Sequence, residues 1–347
     1  MRIKSIAAEI PSRKVTNQDI LDVIEEHSPE VTKLTLKSYQ RLVRVLLKKA
    51  GAETRYFRDL DKGEKAVDFI QRAIQKAIDQ SGVKKEDIDL VIYCGVGKGF
   101  IEPANAYFYA KMFDLKASCF DICDACMSWI RALEIAHQFL QTGRYKNIMI
   151  VNGEFNAYEH GYPELFKIKD LKQIKYTFPT YTIGEAATAT IVGQSDAKWT
   201  FDYISRPEYA DLCTIPLDAY ADFVPHSDRL GLTGPGNFLS FGHEMIEHAT
   251  VYLQQLVKDV IKDYSVPDIY FPHAATSTAY LLGGVDLGID REKMYTEVFP
   301  TYGNLVSASV PVGINHAIEG GRLNRGDKVV LFPASAGMVY AVVQFEY

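Results

Sequence analysis

Apolar and polar positions along the chain follow two periods in turn. Arg2 to Ala8 reads as a first strand, and TNQDILDVIEEH then offers a cap and early acidic residues, which predicts a helix from Asn17. Between Tyr39 and Ala50 the apolar residues Tyr39, Leu42, Val43, Leu46, Leu47 and Ala50 recur at helical spacing and form one stripe. Arg41, Arg44, Lys48 and Lys49 face elsewhere. From Ala66 onward the two patterns alternate. VDFIQRAIQKAI is an amphipathic helix, IDLVIYCGV a buried strand, ANAYFYAKMF a helix and SCFDI a strand. An apolar segment from Cys126 to Leu140 and the strand NIMIVNG follow. This rhythm predicts helices packed on a largely parallel sheet.

The carboxy-terminal half repeats the programme. DLVIYCGV from Asp89 is matched by DIYFPHAA 179 positions on, and LQTGRYKNIMIV from Leu140 by LNRGDKVVLF 183 positions on. Two correspondences at nearly one offset indicate a duplicated half, not a short-period solenoid. Two equivalent sheets related by a pseudo-twofold give a layered αβαβα arrangement. The expected halves are 1–195 and 196–347, joined near Gln194–Thr200 without a Pro/Ser-rich linker.

Bulk properties narrow the function. A chain of 347 residues, 47% hydrophobic, can bury a full core, and 38 Lys+Arg against 44 Asp+Glu give a net charge of -6. That balance argues against general nucleic-acid binding. No long apolar run follows the basic start, and no run of eighteen uncharged apolar residues occurs, so neither a secretory signal nor a transmembrane helix is expected. The five cysteines are too few and too scattered for a disulfide framework, and a reducing cytoplasm is the expected location.

The segment CFDICDACMSWIRALEIAHQFL carries the most chemical information. Cys126 opens a helix that is apolar on most faces and so must be buried. A thiol at that amino end feels the positive end of the helix dipole, which favours the thiolate, and free N–H groups there stabilise an oxyanion. The alternative is a buried cysteine acting as a small hydrophobe. Cys123 and Cys126 also form a CxxC, but one such pair cannot complete a four-ligand zinc site, and the histidines of HEMIEH lack metal spacing. No metal is expected. His273 follows the buried strand DIYFP, where a strand's carboxyl end presents catalytic groups. Gly303-Asn304 reads as a turn after a strand, and the repeat offset carries Cys126 onto position 305, beside Asn304. The pseudo-twofold thus brings the amino ends of two buried helices together. GVGKGF, from Gly95, resembles a phosphate loop but lacks the nucleotide fingerprints, and no GxSxG serine is present. Between Val31 and Arg58 there are eight positive residues and one acid. That run is either a solvated helix face or a docking patch for phosphates or an acidic carrier protein.

At these residues the chain resembles β-ketoacyl-acyl carrier protein synthase III and related condensing enzymes of the thiolase superfamily. TNQDI, FDICDACMSW, GEAATATIVG, FPHAATS, YGNLVSASVP and GDKVVLFPASAGMVYAVV each stand in the family's place and order. The resemblance implies the thiolase-like five-layered αβαβα fold and a homodimer. It implies that Cys126 accepts an acyl group from a thioester, while His273 and Asn304 stabilise the enolate formed when a malonyl-type thioester loses carbon dioxide. The backbone N–H groups of Cys126 and Ala336 would form the oxyanion hole. The substrates would be coenzyme A or acyl-carrier-protein thioesters, with no other cofactor.

The departures imply a specialised relative, in fatty-acid-like or polyketide-type metabolism. Where the family holds the adenine of coenzyme A between an early tryptophan and an arginine, this chain has the basic helix. Arg41, Arg44, Lys48 and Lys49 are therefore candidates for carrier or phosphate docking. Glu102 stands where the family has an acyl-pocket phenylalanine, and a carboxylate there disfavours a plain alkyl chain. HQAN is replaced by His273-Ala274-Ala275-Thr276, which alters the pantetheine contact, and the family's glycine-rich turn is Ser335-Ala336-Gly337. Two further readings stand beside condensation. One is acyl transfer from Cys126 to an alcohol or amine without decarboxylation, and the other is a non-catalytic partner subunit of a condensing complex.

Overall fold

The computed structural model of the chain describes residues 1–273 and 275–347. The amino-terminal half starts with β1 (Arg2–Glu9), β2 (Arg13–Thr16), α1 (Asn17–Glu26), α2 (Lys33–Ala50) and β3 (Thr54–Phe57). It continues with α3 (Ala66–Ser81), β4 (Leu90–Cys94), α4 (Ala106–Met112), β5 (Ser118–Ile122), α5 (Ser128–Gln141), β6 (Asn147–Glu154), α6 (Ile174–Thr177) and β7 (Ala186–Gly193). The second half runs through β8 (Trp199–Ser205), β9 (Cys213–Thr214), β10 (Leu239–Ser240), α7 (Gly242–Val260), β11 (Ile269–Pro272) and α8 (Ser277–Asp286). It ends with α9 (Val298–Tyr302), α10 (Ser309–Glu319), β12 (Lys328–Phe332), β13 (Ala334–Ser335) and β14 (Val339–Glu346).

Two sheets carry the fold, in the orders β1-β7-β6-β4-β5 and β11-β12-β14-β8, with β13 also on β14. The sheets are mixed, not largely parallel as the alternating pattern predicts. Strand pairing is parallel only in β5-β4-β6 and β11-β12, because β7 and β14 run antiparallel to every strand that they pair with. Both strands are continuous apolar runs, buried almost throughout, which suits a strand covered on two faces. The place that β5 takes in the first sheet is reduced in the second to one parallel bridge between Tyr270 and Met294.

The layers follow from what each face buries. One outer cluster packs α3 and α4 on the first sheet, through Phe69, Ile70, Ala73, Ile74 and Ala110. The other packs α7 on the second sheet, through Leu253, Leu256 and Val257. Between the sheets lies the largest cluster, to which α5 gives Trp129, Ile130 and Leu133 and α10 gives Val310, Val312 and Ile314. The order of layers is helices, sheet, helices, sheet, helices, which is the five-layered α/β arrangement. Trp129 is completely buried, and its indole N–H reaches the Thr190 hydroxyl at 3.1 Å, so it is tied at its polar end as well as packed.

α2 departs from its predicted stripe. It begins at Lys33, capped by Thr32, and buries Leu36, Tyr39, Val43 and Leu47, whereas Leu42 is exposed and Leu46 and Ala50 half-buried. The apolar residues divide between two directions, one toward the core and one toward a cavity. The basic run divides too. Arg55 and Arg58 are buried, Arg58 against Glu159 and Glu185, so only the cations of α2 itself form a surface.

Asn304 follows the short helix α9, not a strand. Gly303 takes φ 74 and ψ -162, and a Cβ there would lie 2.3 Å from the Thr182 carbonyl oxygen. Only glycine fits. Gly303→Ala should therefore destabilise the protein by ~3 kcal/mol or more in urea unfolding. Gly337→Ala, at φ 75 with nothing within 4 Å, should cost only ~1–2 kcal/mol.

Candidate active site

Each half brings a turn to the middle of the molecule. After β5, residues Ala125–Met127 form a single 3₁₀ turn that feeds α5, and in the second half Val306–Ala308 form the same turn ahead of α10. Both open on a left-handed residue, Ala125 at φ 43 and Val306 at φ 51. The two turns pack against one another. The structural mate of Cys126 is therefore Ser307, and Asn304 lies just before that turn. A non-glycine residue in this conformation costs ~1–2 kcal/mol and persists only where its surroundings fix it. Around Ala125 that fixing is visible. The Ser128 hydroxyl donates to the Ala125 carbonyl at 2.7 Å and accepts from the Asp124 N–H at 2.8 Å, while the Met127 N–H reaches the Asp124 carbonyl at 2.8 Å.

The thiol of Cys126 faces a cavity but is otherwise enclosed. The Ala336 N–H and Ser335 lie near its sulfur and favour its charged form slightly, while the Ser335 hydroxyl donates to the Asp124 carbonyl at 3.4 Å. Ser335 also accepts from the Met127 N–H at 3.1 Å, which locks the β13 turn onto the Cys126 turn. Burial, with smaller contributions from Cys213 and Glu154, pushes the thiol well above its ordinary value. This direction is opposite to the thiolate expected from the helix dipole. Removal from bulk water costs the anion more than the nearby donors and a helix end return.

His273 leaves the carboxyl end of β11 at 3% exposure, and burial pushes its imidazole down to about 4. It is neutral at physiological pH. Among the described residues neither ring nitrogen has a hydrogen-bond partner. Asn304 is held by its backbone. Its N–H donates to the Thr182 carbonyl at 2.8 Å, its carbonyl accepts from the Gly184 N–H at 3.0 Å, and the pair Ile183–Asn304 forms a parallel bridge. Its side-chain Oδ1 accepts from the Val306 N–H at 2.9 Å, which orients the amide and leaves Nδ2 as the group to offer.

Cys126, His273, Asn304 and Ala336 all line one cavity of about 1010 Å³. Its walls are mainly apolar and aromatic, with Phe57, Phe166, Phe178, Leu253 and Met338 among them. Leu42, Leu46 and Lys49 of α2 line it as well. The remaining docking candidates, Arg41, Arg44 and Lys48, are exposed on α2 away from that lining. Glu102 is not brought to the cavity of its own chain. It sits on an exposed segment beside Ile101 and so shapes no pocket there. Thr276 serves the backbone, its hydroxyl accepting from the Ala279 N–H at 3.4 Å and donating to the Ala50 carbonyl at 3.0 Å. Ala274 lies outside the described residues. Sequence reasoning missed Ser335, which becomes visible only when β13 folds onto the Cys126 turn. It also missed Glu154, whose surroundings come from two distant segments, at Val96-Gly97 and Ser307, together with the neighbouring Asn156. Among the described residues no cluster of metal-ligating side chains occurs, and no helix is long and apolar enough to cross a membrane.

Residues 120–205 match the family model for 3-oxoacyl-[acyl-carrier-protein (ACP)] synthase III, and residues 263–347 match the model for its C-terminal part. The chain is a condensing enzyme of the thiolase superfamily. It is 25% identical to the beta-ketoacyl-[acyl-carrier-protein] synthase III of Clostridium beijerinckii, across 100% of this chain and 99% of the relative. With that of Aliarcobacter butzleri it shares 26%, across 99% and 97%. Among solved structures, Xanthomonas campestris OleA with bound lauric acid and lauroyl-CoA superposes at a TM-score of 0.82 and 20% identity, covering 99% and 98% of the chains. The 3-oxoacyl-[acyl-carrier-protein] synthase III of Aquifex aeolicus superposes at 0.78 and 20%, covering 100% and 99%.

The condensing enzyme's resting site is neutral, and this has a thermodynamic signature. Unfolded, His273 takes up its proton near pH 6.5; folded, only near pH 4. The stabilisation tied to this group is fully present above pH 6.5 and is lost as pH falls toward 4, by about 3 kcal/mol. Urea titrations of wild type and His273→Asn between pH 7 and 4 should show wild type losing that much more stability; parallel curves would contradict a buried neutral imidazole.

Proposed function

We propose that this enzyme joins an acyl group to a malonyl-type unit by decarboxylative Claisen condensation, with Cys126 as acyl carrier. The observation that carries the reading is the convergence of Cys126, His273, Asn304 and Ala336 on the lining of a single cavity. In the first step the Cys126 sulfur displaces the donor thiol, and its proton leaves with that thiol. The anionic tetrahedral intermediate takes hydrogen bonds from the Cys126 and Ala336 N–H groups. In the second step the malonyl-type thioester sits with its carbonyl oxygen between Asn304 Nδ2 and an N–H of neutral His273. Loss of carbon dioxide leaves an enolate, stabilised by these two donors at the place where charge develops. Its carbon attacks the acyl-Cys126 carbonyl, the new carbon–carbon bond forms, and the Cys126 sulfur leaves and regains a proton. A neutral imidazole suits the work, since decarboxylation needs a hydrogen-bond donor and not a base.

The cavity volume lies at the top of the usual range for small-molecule sites, so we assign it a pantetheine arm together with a medium or long acyl chain. Carrier-protein or coenzyme A phosphates would be met by Lys49 at the lining and by Arg41, Arg44 and Lys48 beside it. The enzyme is proposed to act as a homodimer. β5 ends its sheet unpaired on one side, and exposed Phe100, Ile101, Tyr107, Phe108 and Met112 lie near it in sequence. Covering that face would carry Glu102 to the partner subunit and suits a role for it in the partner's cavity.

Mass spectrometry and carbon dioxide release test the chemistry together. A panel of acyl thioesters should leave an adduct on Cys126 that Cys126→Ala lacks. His273→Ala and Asn304→Ala should still acylate but release carbon dioxide from malonyl thioesters about 10²–10³-fold more slowly. Acylation with no decarboxylation from any malonyl donor would replace condensation by plain acyl transfer, and no adduct at all would indicate a non-catalytic subunit.

A further inference from the structure

The glycine-rich stretch after β4 does cradle an anion, and the anion belongs to the protein. The N–H groups of Val96 and Gly97 donate to the carboxylate of Glu154 at 3.2 and 3.1 Å. A Cβ at Gly97 would lie 2.5 Å from the Gly153 carbonyl oxygen, so the loop approaches this closely only with glycine. From the other half, Ser307 donates both its hydroxyl and, at 3.3 Å, its N–H, and Asn156 adds its Nδ2 at 2.7 Å. Glu154 is completely buried. All five donors are N–H or O–H groups, so the ionised carboxylate is the form that they fit. Burial pushes its carboxyl above the ordinary carboxylate range, although Ser307, Asn156, Gly97 and Val96 pull it part of the way back, with no cation among the causes. A buried charge without a counter-ion is costly, and fold alone gives no reason to keep it.

Its location supplies a reason. Ser307 is the structural mate of Cys126, in a turn that packs against the Cys126 turn and is separated from Asn304 only by Leu305. We propose, on the reading of Cys126 and Asn304 given above, that Glu154 is a positioning residue with two tasks. It clamps the Ser307 turn so that Asn304 keeps its place on the cavity that Cys126 also lines, and its carboxylate, bonded to the turn that packs against the Cys126 turn, keeps the resting sulfur protonated. The titratable groups around it are Tyr93, Cys94 and Asp121 and, across the axis, Cys126, with Cys213 beside Cys126. Burial raises Tyr93, Cys94, Cys126 and Cys213, and among the groups acting on Cys126 only Glu154 is surrounded by donors that favour an anion. A protonated thiol resists adventitious alkylation and oxidation until an acyl donor fills the cavity.

The test uses the full-length protein and three readouts: the pH profile of Cys126 alkylation by iodoacetamide, followed by mass spectrometry; kcat and KM for condensation; and thermal unfolding. Glu154→Gln should move the alkylation profile about one pH unit lower. It should also lower kcat tenfold or more with KM within about twofold. Ser307→Ala, which keeps the charge but loosens the clamp, should lower kcat and leave the alkylation profile in place. A wild-type profile in Glu154→Gln, or a kcat that falls only in step with the folded fraction, would overturn the proposal. Should Glu154→Gln fail to fold, Ser307→Ala decides: reduced kcat in a folded protein upholds the clamp, and full kcat overturns it. If wild type condenses no malonyl donor, the functional reading fails instead, and the alkylation arm still decides the place of Glu154.

Discussion

The structure depends on burying two helix amino ends against each other between two sheets. α5 and α10 are apolar on nearly every side because both of their faces meet a sheet, and that alone forces their first turns into the interior. Helix starts expose N–H groups that need acceptors, and here water is excluded. The polar groups at the axis answer that need. Ser335 serves the Cys126 turn, and Glu154 serves the Ser307 turn. The same groups that receive these N–H donors hold the two turns in register, and the chemistry uses what the turns leave unfilled.

Dielectric environment, not helix polarity, sets the charge of this site. A cysteine at a helix start suggests a thiolate, yet burial moves the thiol up and the imidazole down, and both groups rest neutral. Desolvation acts on every charged form, whereas a helix end offers only a fraction of a charge. The same reasoning explains why Asn304 and His273 are compatible partners. Each presents an N–H without bringing a net charge into the cavity.

Much of this was legible in the residues. Apolar periodicity and the internal repeat foretell two equivalent sheets around buried helices, and the Cys126, His273 and Asn304 segments stand out because each sits where a buried element ends. Strand direction was not legible. β7 and β14 carry the same apolar signature whether their neighbours run parallel or antiparallel. The exact axis was not legible either, because the repeat offset drifts by a few positions and places Asn304, not Ser307, opposite Cys126. The α2 stripe misled for a different reason. Leu42 and Leu46 are apolar on account of a cavity, and periodicity cannot tell a cavity wall from a core. Glu102 shows the limit of reading one chain, since its exposed position has meaning only against another surface.

The carbonyl of Ala50 gives the fold a mechanical link. It ends α2 and accepts hydrogen bonds from Thr276 and Ser277, the residues that start α8 three positions after His273. Gly51 lies so close that a Cβ there would meet the Ser277 hydroxyl at 2.2 Å, so no slack separates the two elements. The carboxyl end of the basic helix and the amino end of α8 therefore share one peptide carbonyl as a common anchor, so neither can shift without the other.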